Sequence, residues 1–181
     1  MRDISLHLLD LIENSIRAGA TVVKVSVVED PARDLMEVSI EDDGAGLHVP
    51  SDVATDPFYT TKAGKRIGLG LSLFRSTAEK AGGSLTIGQS ALGGALVKAT
   101  MSLSHVDRLP LGDLAATLSS VVCTNPALEL ACELRCRSRE CVVRASDLRR
   151  ELPQGERCGL SVARMVAERV REGLASIEAV G

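Results

Sequence analysis

The sequence predicts an α+β fold: a two-layer α/β sandwich with helices over a mixed sheet, and a small C-terminal α+β appendage. Three observations predict it. Over residues 3–103, hydrophobic periodicity runs helix, two strands, a long polar stretch, helix, two strands. The 181 residues are 45% hydrophobic, which is enough for one substantial core. With two Phe, one Tyr and no Trp, that core is aliphatic.

Residues 3–18 place Ile4, Leu8, Leu11, Ile12 and Ile16 at helical spacing. Asp3 or Ser5 caps the start, and Gly19 ends the helix. The opposite face carries Asp10, Glu13, Asn14 and Arg17. Asp10 and Asn14, one turn apart, stand side by side and can serve one site. Residues 21–28 and 35–41 are rich in β-branched side chains and read as strands. The segment Asp30–Asp34 joins them tightly, so they form an antiparallel hairpin.

The second strand runs into Glu41-Asp42-Asp43-Gly44-Ala45-Gly46. Two acids and two glycines there make either a polar turn or the floor of a pocket. In the second case one buried carboxylate accepts a hydrogen bond from an exocyclic amine, and the glycines leave room for a flat base. Residues 47–67 are mostly polar and read as a loop or lid. Within them lies Phe58-Tyr59-Thr60-Thr61-Lys62, then Lys65 and Arg66, then Gly68-Leu69-Gly70-Leu71 at the start of a helix over 69–81. Close glycines before a helix let the backbone approach a phosphate chain, and the first helical amides point at it. Strands follow over 84–88 and 94–103, with Gly93-Gly94 ahead of the second.

Several classes are excluded. A net charge of −3 gives no global reason to expect nucleic acid or an anionic membrane. No apolar run is long enough for a transmembrane helix, and the N-terminus does not read as a signal peptide. Five cysteines, an odd number, suggest reduced thiols and a cytoplasmic protein.

Four stretches in this order resemble the GHKL ATPase family, closest to the ATP-binding catalytic domain of sensor histidine kinases. Asp10–Ala20 looks like its N box, and Asp42–Gly46 its first glycine box. Pro57–Leu71 is similar to the kinase F box and second glycine box, and Gly93-Gly94 to the last glycine motif. The match spans roughly residues 4–103 and implies a GHKL-type ATP-binding fold over 1–106. It implies ATP and Mg²⁺ as cofactors. Asn14 would coordinate the metal, Asp42 would bind the adenine amine, and Gly44 and Gly46 would shape the base pocket. Lys62, Gly68, Leu69 and Gly70 would hold the phosphates. Glu13 would help activate a phospho-acceptor.

Two departures shape the functional expectation. ATP-hydrolysing members carry Glu where Asp10 stands, and Asp10 is one methylene shorter, which counts against efficient hydrolysis. The N box begins almost at residue 4, so the kinase hairpin with its phospho-accepting His is expected to be missing, and the phospho-acceptor side chain is expected from a partner. His7, His48 and His105 lack that hairpin's sequence setting and read as solvated or capping residues. The first expectation is therefore a histidine-kinase-type phosphotransferase acting in trans on a partner protein. The alternatives are a nucleotide-controlled regulatory module, similar to anti-sigma regulators, and a slow ATPase. A homodimer is compatible with either of the first two.

Residues 107–181 read as the appendage, after a linker at Ser104–Pro110. Residues 111–122 form a helix, 128–136 an alternating half-buried strand and 140–146 its hairpin partner. A final helix covers 159–178, with Leu160, Ala163, Val166, Val170, Leu174 and Ile177 on one stripe. Cys132, Cys136, Cys141 and Cys158 are spaced only loosely like metal ligands, and core thiols fit better. Arg135, Arg137, Arg139, Arg144, Arg149 and Arg150 form a cluster, but the appendage carries as many acids as arginines. A solvated surface fits better than a nucleic-acid site.

Overall fold

The structure, a computed structural model, describes residues 2–46, 69–154 and 159–178. In chain order these form α1 (Ile4–Arg17), β1 (Val22–Asp30), β2 (Leu35–Asp42), α2 (Leu69–Lys80), β3 (Ser84–Gln89) and β4 (Ala95–Ser102). Then follow α3 (Leu114–Thr124), β5 (Glu129–Cys136), β6 (Arg139–Arg144), α4 (Ala145–Glu151) and α5 (Gly159–Glu178). The strands make one six-stranded sheet in the order β3-β4-β2-β1-β5-β6. β1 pairs with β5 in parallel and every other pair is antiparallel, so the sheet is mixed.

One face of every central strand is buried. Val23, Val25 and Val27, Met36, Val38 and Ile40, Val97, Ala99 and Met101, and Leu130, Cys132 and Leu134 lie on it. The helices cover this face with Leu8, Ile12, Phe74, Leu118, Val166 and Val170. The other face is polar and crossed by ion pairs, Lys24–Glu133 at 3.0 Å and Lys98–Glu37 at 2.9 Å. Period-two alternation with one solvated face is what a two-layer sandwich requires.

α1 is anchored at its first turn from two directions. The side chain of Asp3 accepts from the Leu6 amide at 3.0 Å. The segment before α3 supplies two more acceptors: Ile4 N donates to Pro110 O at 3.0 Å and Ser5 N to Leu111 O at 2.8 Å. Three amides that a helix start leaves without partners are thus satisfied. The far end closes at Gly19, with Ala20 N donating to Ser15 O at 3.0 Å.

The C-terminal segment joins the same sheet. β5 runs along β1 from Val22↔Glu129 to Glu29↔Cys136, and β6 continues the sheet outward. Three details differ from the sequence reading. Leu160, expected on the buried stripe of α5, is 63% exposed, and the buried stripe begins at Val162 and Ala163. Two helical positions before Val162 lies the first turn of the helix, off the sheet. α4 was not expected, because a seven-residue helix with two buried side chains, Ala145 and Leu148, has too little periodicity to read. It is held by Arg149, which donates to Glu129 at 3.1 Å, Pro126 O at 2.9 Å and Leu128 O at 2.7 Å.

The third difference is His7, which is neither solvated nor capping. It is 3% exposed and stacked on Phe74 with ring centroids 4.9 Å apart. Its Nε2 meets Thr77 Oγ1 at 3.2 Å. It lies on the α2-facing side of α1, three residues after Ile4 and four before Leu11, in register with the buried stripe. His105 does cap a turn, accepting from the Asp107 amide at 3.1 Å, and His48 lies outside the described residues. No described helix is long and apolar enough to cross a membrane.

Candidate functional site

Asp42 closes β2 and is 4% exposed. A buried carboxylate is costly unless hydrogen-bonded. Here Oδ1 accepts from Gly44 N at 3.0 Å and Ala95 N at 3.1 Å, and Oδ2 accepts from Ser15 Oγ at 2.5 Å. The main-chain oxygen of Asp42 accepts from Gly94 N at 3.0 Å. The Asp42 carboxylate is thus buried and partnered rather than part of a solvated polar turn. Three elements converge on it: the last turn of α1, the end of β2 and the entry to β4.

Its neighbour Asp43 has a structural task. It accepts from Thr21 Oγ1 at 2.6 Å, Thr21 N at 2.7 Å and Val22 N at 2.8 Å. Burial pushes its carboxyl up, but the hydrogen bonds from Thr21 and Val22 outweigh this and hold it below the usual carboxylate value. Asp43 thereby ties the end of β2 to the start of β1.

Two glycines are fixed by close approach. A Cβ at Gly94 would stand 2.2 Å from Asp42 Oδ1 and 2.6 Å from both Asp42 O and Gly44 N. A Cβ at Gly70 would stand 1.7 Å from Asp10 Oδ2. The carboxylate of Asp10 thus reaches the first turn of α2, where helical amides and the macrodipole favour an anion. Gly46, at φ +71°, lies against Gly94, and Gly44 packs on the main chain of Ala18 and Ala20.

Glu13 and Asn14 occupy the outer face of α1. Arg17 holds both: Nη2 donates to Asn14 Oδ1 at 2.7 Å and lies 4.0 Å from Glu13 Oε2, and Nε donates to Glu13 O at 3.0 Å. These contacts are exposed, so a bound cation can displace them at small cost. The amide oxygen of Asn14 is a hard ligand of the kind Mg²⁺ takes one or two of from a protein. The oxygens of Asn14 and Asp42 are of the chemical kinds that a metal ion and a base amine take. Leu69 begins α2, while Lys62 and Gly68 lie outside the described residues.

Of the site residues expected from the sequence, Asp10, Glu13 and Asn14 lie on α1, Asp42 ends β2 with Gly44 and Gly46 after it, and Gly70 lies in the first turn of α2. Sequence reasoning missed Ser15, and it gave Gly94 no role at the carboxylate. The signal for Ser15 was present. It follows Leu8, Leu11 and Ile12 on the buried side of α1, where a hydroxyl needs a partner. Elsewhere, Cys132 and Cys136 are core thiols, and burial pushes the Cys132 thiol up to about 12. Among the described residues no group of His, Cys, Asp and Glu is arranged to hold a metal. Arg135, Arg149 and Arg150 are paired with Glu140, Glu129 and Asp147. A cavity of about 240 Å³ opens toward the other end of α1 and α2, beside His7, Thr77, Lys80 and Asp107, and touches none of the Asp42 partners.

The chain belongs to the histidine kinase-, DNA gyrase B- and HSP90-like ATPase family, whose model matches residues 2–105. It is 32% identical over 127 residues to the non-motile and phage-resistance protein of Caulobacter vibrioides. That match takes in 64% of this chain and only 15% of the relative's length. Among solved structures it is similar to the ATP-binding domain of PrrB from Mycobacterium tuberculosis. There the identity is 31%, covering 54% of this chain and 66% of that one at a TM-score of 0.41. The N-terminal domain of a DNA repair protein shares the fold at a TM-score of 0.52 and 13% identity, covering 79% of this chain and 52% of that one. That coverage exceeds residues 2–105, so the likeness of fold reaches into the C-terminal segment.

Proposed function

We propose that this chain is an ATP–Mg²⁺-binding domain of the histidine-kinase type that phosphorylates a partner protein in trans. The observation that carries the reading is Asp42: a buried carboxylate, fixed by three donors, at the end of a strand and beside a helix carrying Asn14 and Glu13. Asp42 takes the adenine amine, and the glycines at 44, 46 and 94 keep the main chain low enough for a flat base. Asn14 gives its oxygen to the metal. When bound, ATP supplies the phosphoryl group and Mg²⁺ neutralises charge on it.

The chain's own part is positioning and one proton. The backbone at Gly70 and the start of α2 receives anionic oxygens. The exposed carboxylate of Glu13 takes the proton that the partner's nucleophilic side chain loses as its new bond to phosphorus forms. The bond between the transferred phosphorus and the bridging oxygen breaks, and ADP leaves with that electron pair. Asp10, held at the first turn of α2 and one methylene shorter than Glu, is poorly suited to activate water, so slow ATP hydrolysis ranks last.

A second reading has its own support. Arg17 engages both Asn14 and Glu13, which suits a nucleotide-controlled regulatory module that transfers nothing. Calorimetry of ATP binding with and without Mg²⁺ tests the shared part. Wild type is expected to bind at micromolar concentration, more tightly with Mg²⁺, and Asp42→Asn to lose binding. Glu13→Ala then separates the readings. Loss of phosphate transfer with ATP affinity kept supports the kinase, and transfer that survives unchanged removes the role given to Glu13.

A further inference from the structure

We infer that the cavity of about 240 Å³ beside His7 is a second binding site, suited to a small zwitterion: a free α-amino acid with an aliphatic side chain. The inference does not depend on the nucleotide reading, since the cavity touches none of the Asp42 partners. Three elements make its walls. α2 contributes Leu73, Thr77 and Lys80 at helical spacing, α1 contributes His7, and the segment after β4 contributes Asp107 and Leu109. Pockets for drug-sized ligands start at about 300 Å³, so this smaller volume suits a ligand of amino-acid size.

The inner wall is polar and incompletely satisfied. His7 is 3% exposed, and its Nε2 meets Thr77 Oγ1 at 3.2 Å. Its Nδ1 is the one buried side-chain nitrogen or oxygen among the described residues without a hydrogen-bond partner. Such an atom calls for an explanation, and here it belongs to a ring that lines a cavity.

The charges of the lining are balanced and uncommitted. Lys80 supplies a cation and Asp107 an anion, and neither side chain makes an ion pair or hydrogen bond with a described residue. Burial holds the His7 imidazole below its ordinary value, so at neutral pH it adds no charge. Arg108 does not line the cavity; its guanidinium donates to Leu103 O at 2.8 Å. A simple anion would meet Asp107 and the negative end of the α2 dipole, and a simple cation would meet Lys80. A zwitterion gives its carboxylate to Lys80 and its ammonium to Asp107. Leu73, 43% exposed, and Leu109 offer apolar surface to an aliphatic side chain.

The test is calorimetric titration of the full chain with L-leucine, with isoamylamine, which lacks the carboxylate, and with isocaproate, which lacks the ammonium. Wild type is expected to bind leucine with sub-millimolar affinity and each analogue about tenfold more weakly, the scale of one lost charge-assisted hydrogen bond. Lys80→Met keeps the apolar stem and is expected to weaken leucine about tenfold while leaving isoamylamine unchanged or tighter. Asp107→Asn is expected to do the converse, weakening leucine and sparing isocaproate. Both side chains are exposed, so both variants are expected to keep the wild-type circular dichroism spectrum and urea midpoint. No saturable binding of leucine by wild type up to about 10 mM overturns the inference. So does equal binding of the three compounds, which would mark an apolar cleft without charge recognition. A parallel loss of all three in both variants overturns it as well.

Discussion

Strands β1 and β2, which lead to the site, and strands β5 and β6, which widen the sheet beyond it, bury the same kind of face. Each alternates apolar and polar side chains, and the parallel register sets Val23, Val25 and Val27 beside Leu130, Cys132 and Leu134. They differ in what else they bury. Among the described residues the buried polar side chains are Ser5, His7, Ser15, Ser39, Asp42, Ser90 and Thr117, and only Thr117 comes after residue 90. Behind β5 and β6 the core holds aliphatic groups and thiols, and charged pairs stay outside. The site half carries groups that cost stability unless partnered; the added half supplies apolar packing without such obligations. The difference teaches how a fold can lodge a buried carboxylate: it sits beside a region whose buried side chains are almost all apolar.

The comparison can be broken most sharply from the added half. Leu134→Ala empties a fully buried position beside Val27 and is expected to cost about 3 kcal/mol. If the two halves share one core, urea unfolding followed by circular dichroism stays a single transition with a lower midpoint. A separate early transition, with ATP binding untouched, would mean that β5 and β6 form a unit of their own.

A smaller stability effect with a larger functional one is expected at the site. Gly94→Ala forces a Cβ against Asp42 and Gly44 and is expected to cost about 2 kcal/mol. It should also remove ATP binding at protein concentrations where the fold is intact. Retained affinity would show that Gly94 is not needed to close the floor.

The smallest effect concerns pH. Burial holds the His7 imidazole below its ordinary value, and the nearby Asp10 and Asp3 offset this only in part. Its folded-state value is therefore the lower one, and the unfolded chain takes up a proton first. Stability contributed by neutral His7 is present above the unfolded value, near 6.5, and lost as pH falls from there toward the folded value. Urea midpoints measured between neutral and mildly acidic pH should fall more for wild type than for His7→Gln. Parallel curves would place the acid sensitivity elsewhere.

Much of this was legible in the chain. The helix over residues 3–18 and the strands at 21–28, 35–41, 84–88, 94–103 and 128–136 announced themselves by period, because one-sided burial writes itself into alternation. Asp42 was legible as a candidate because an acid and two glycines end an apolar strand. The burial of His7 could also have been read, from its place on the stripe of Ile4, Leu8 and Leu11, whereas the short helix α4 and the exposure of Leu160 depend on which neighbour an element meets. A strand pattern says which side chains are buried but not which strand lies alongside.

Sequence by itself thus determined most of the elements, most of their buried faces and the family. Tertiary structure alone decided three things: that β5 lies parallel to β1, that Ser15 reaches Asp42 Oδ2, and that Gly94 covers Oδ1. The physical reason is the same for all three. Each joins segments far apart in the chain, and local propensity and periodicity carry no information about such meetings. Packing of the shared core sets them.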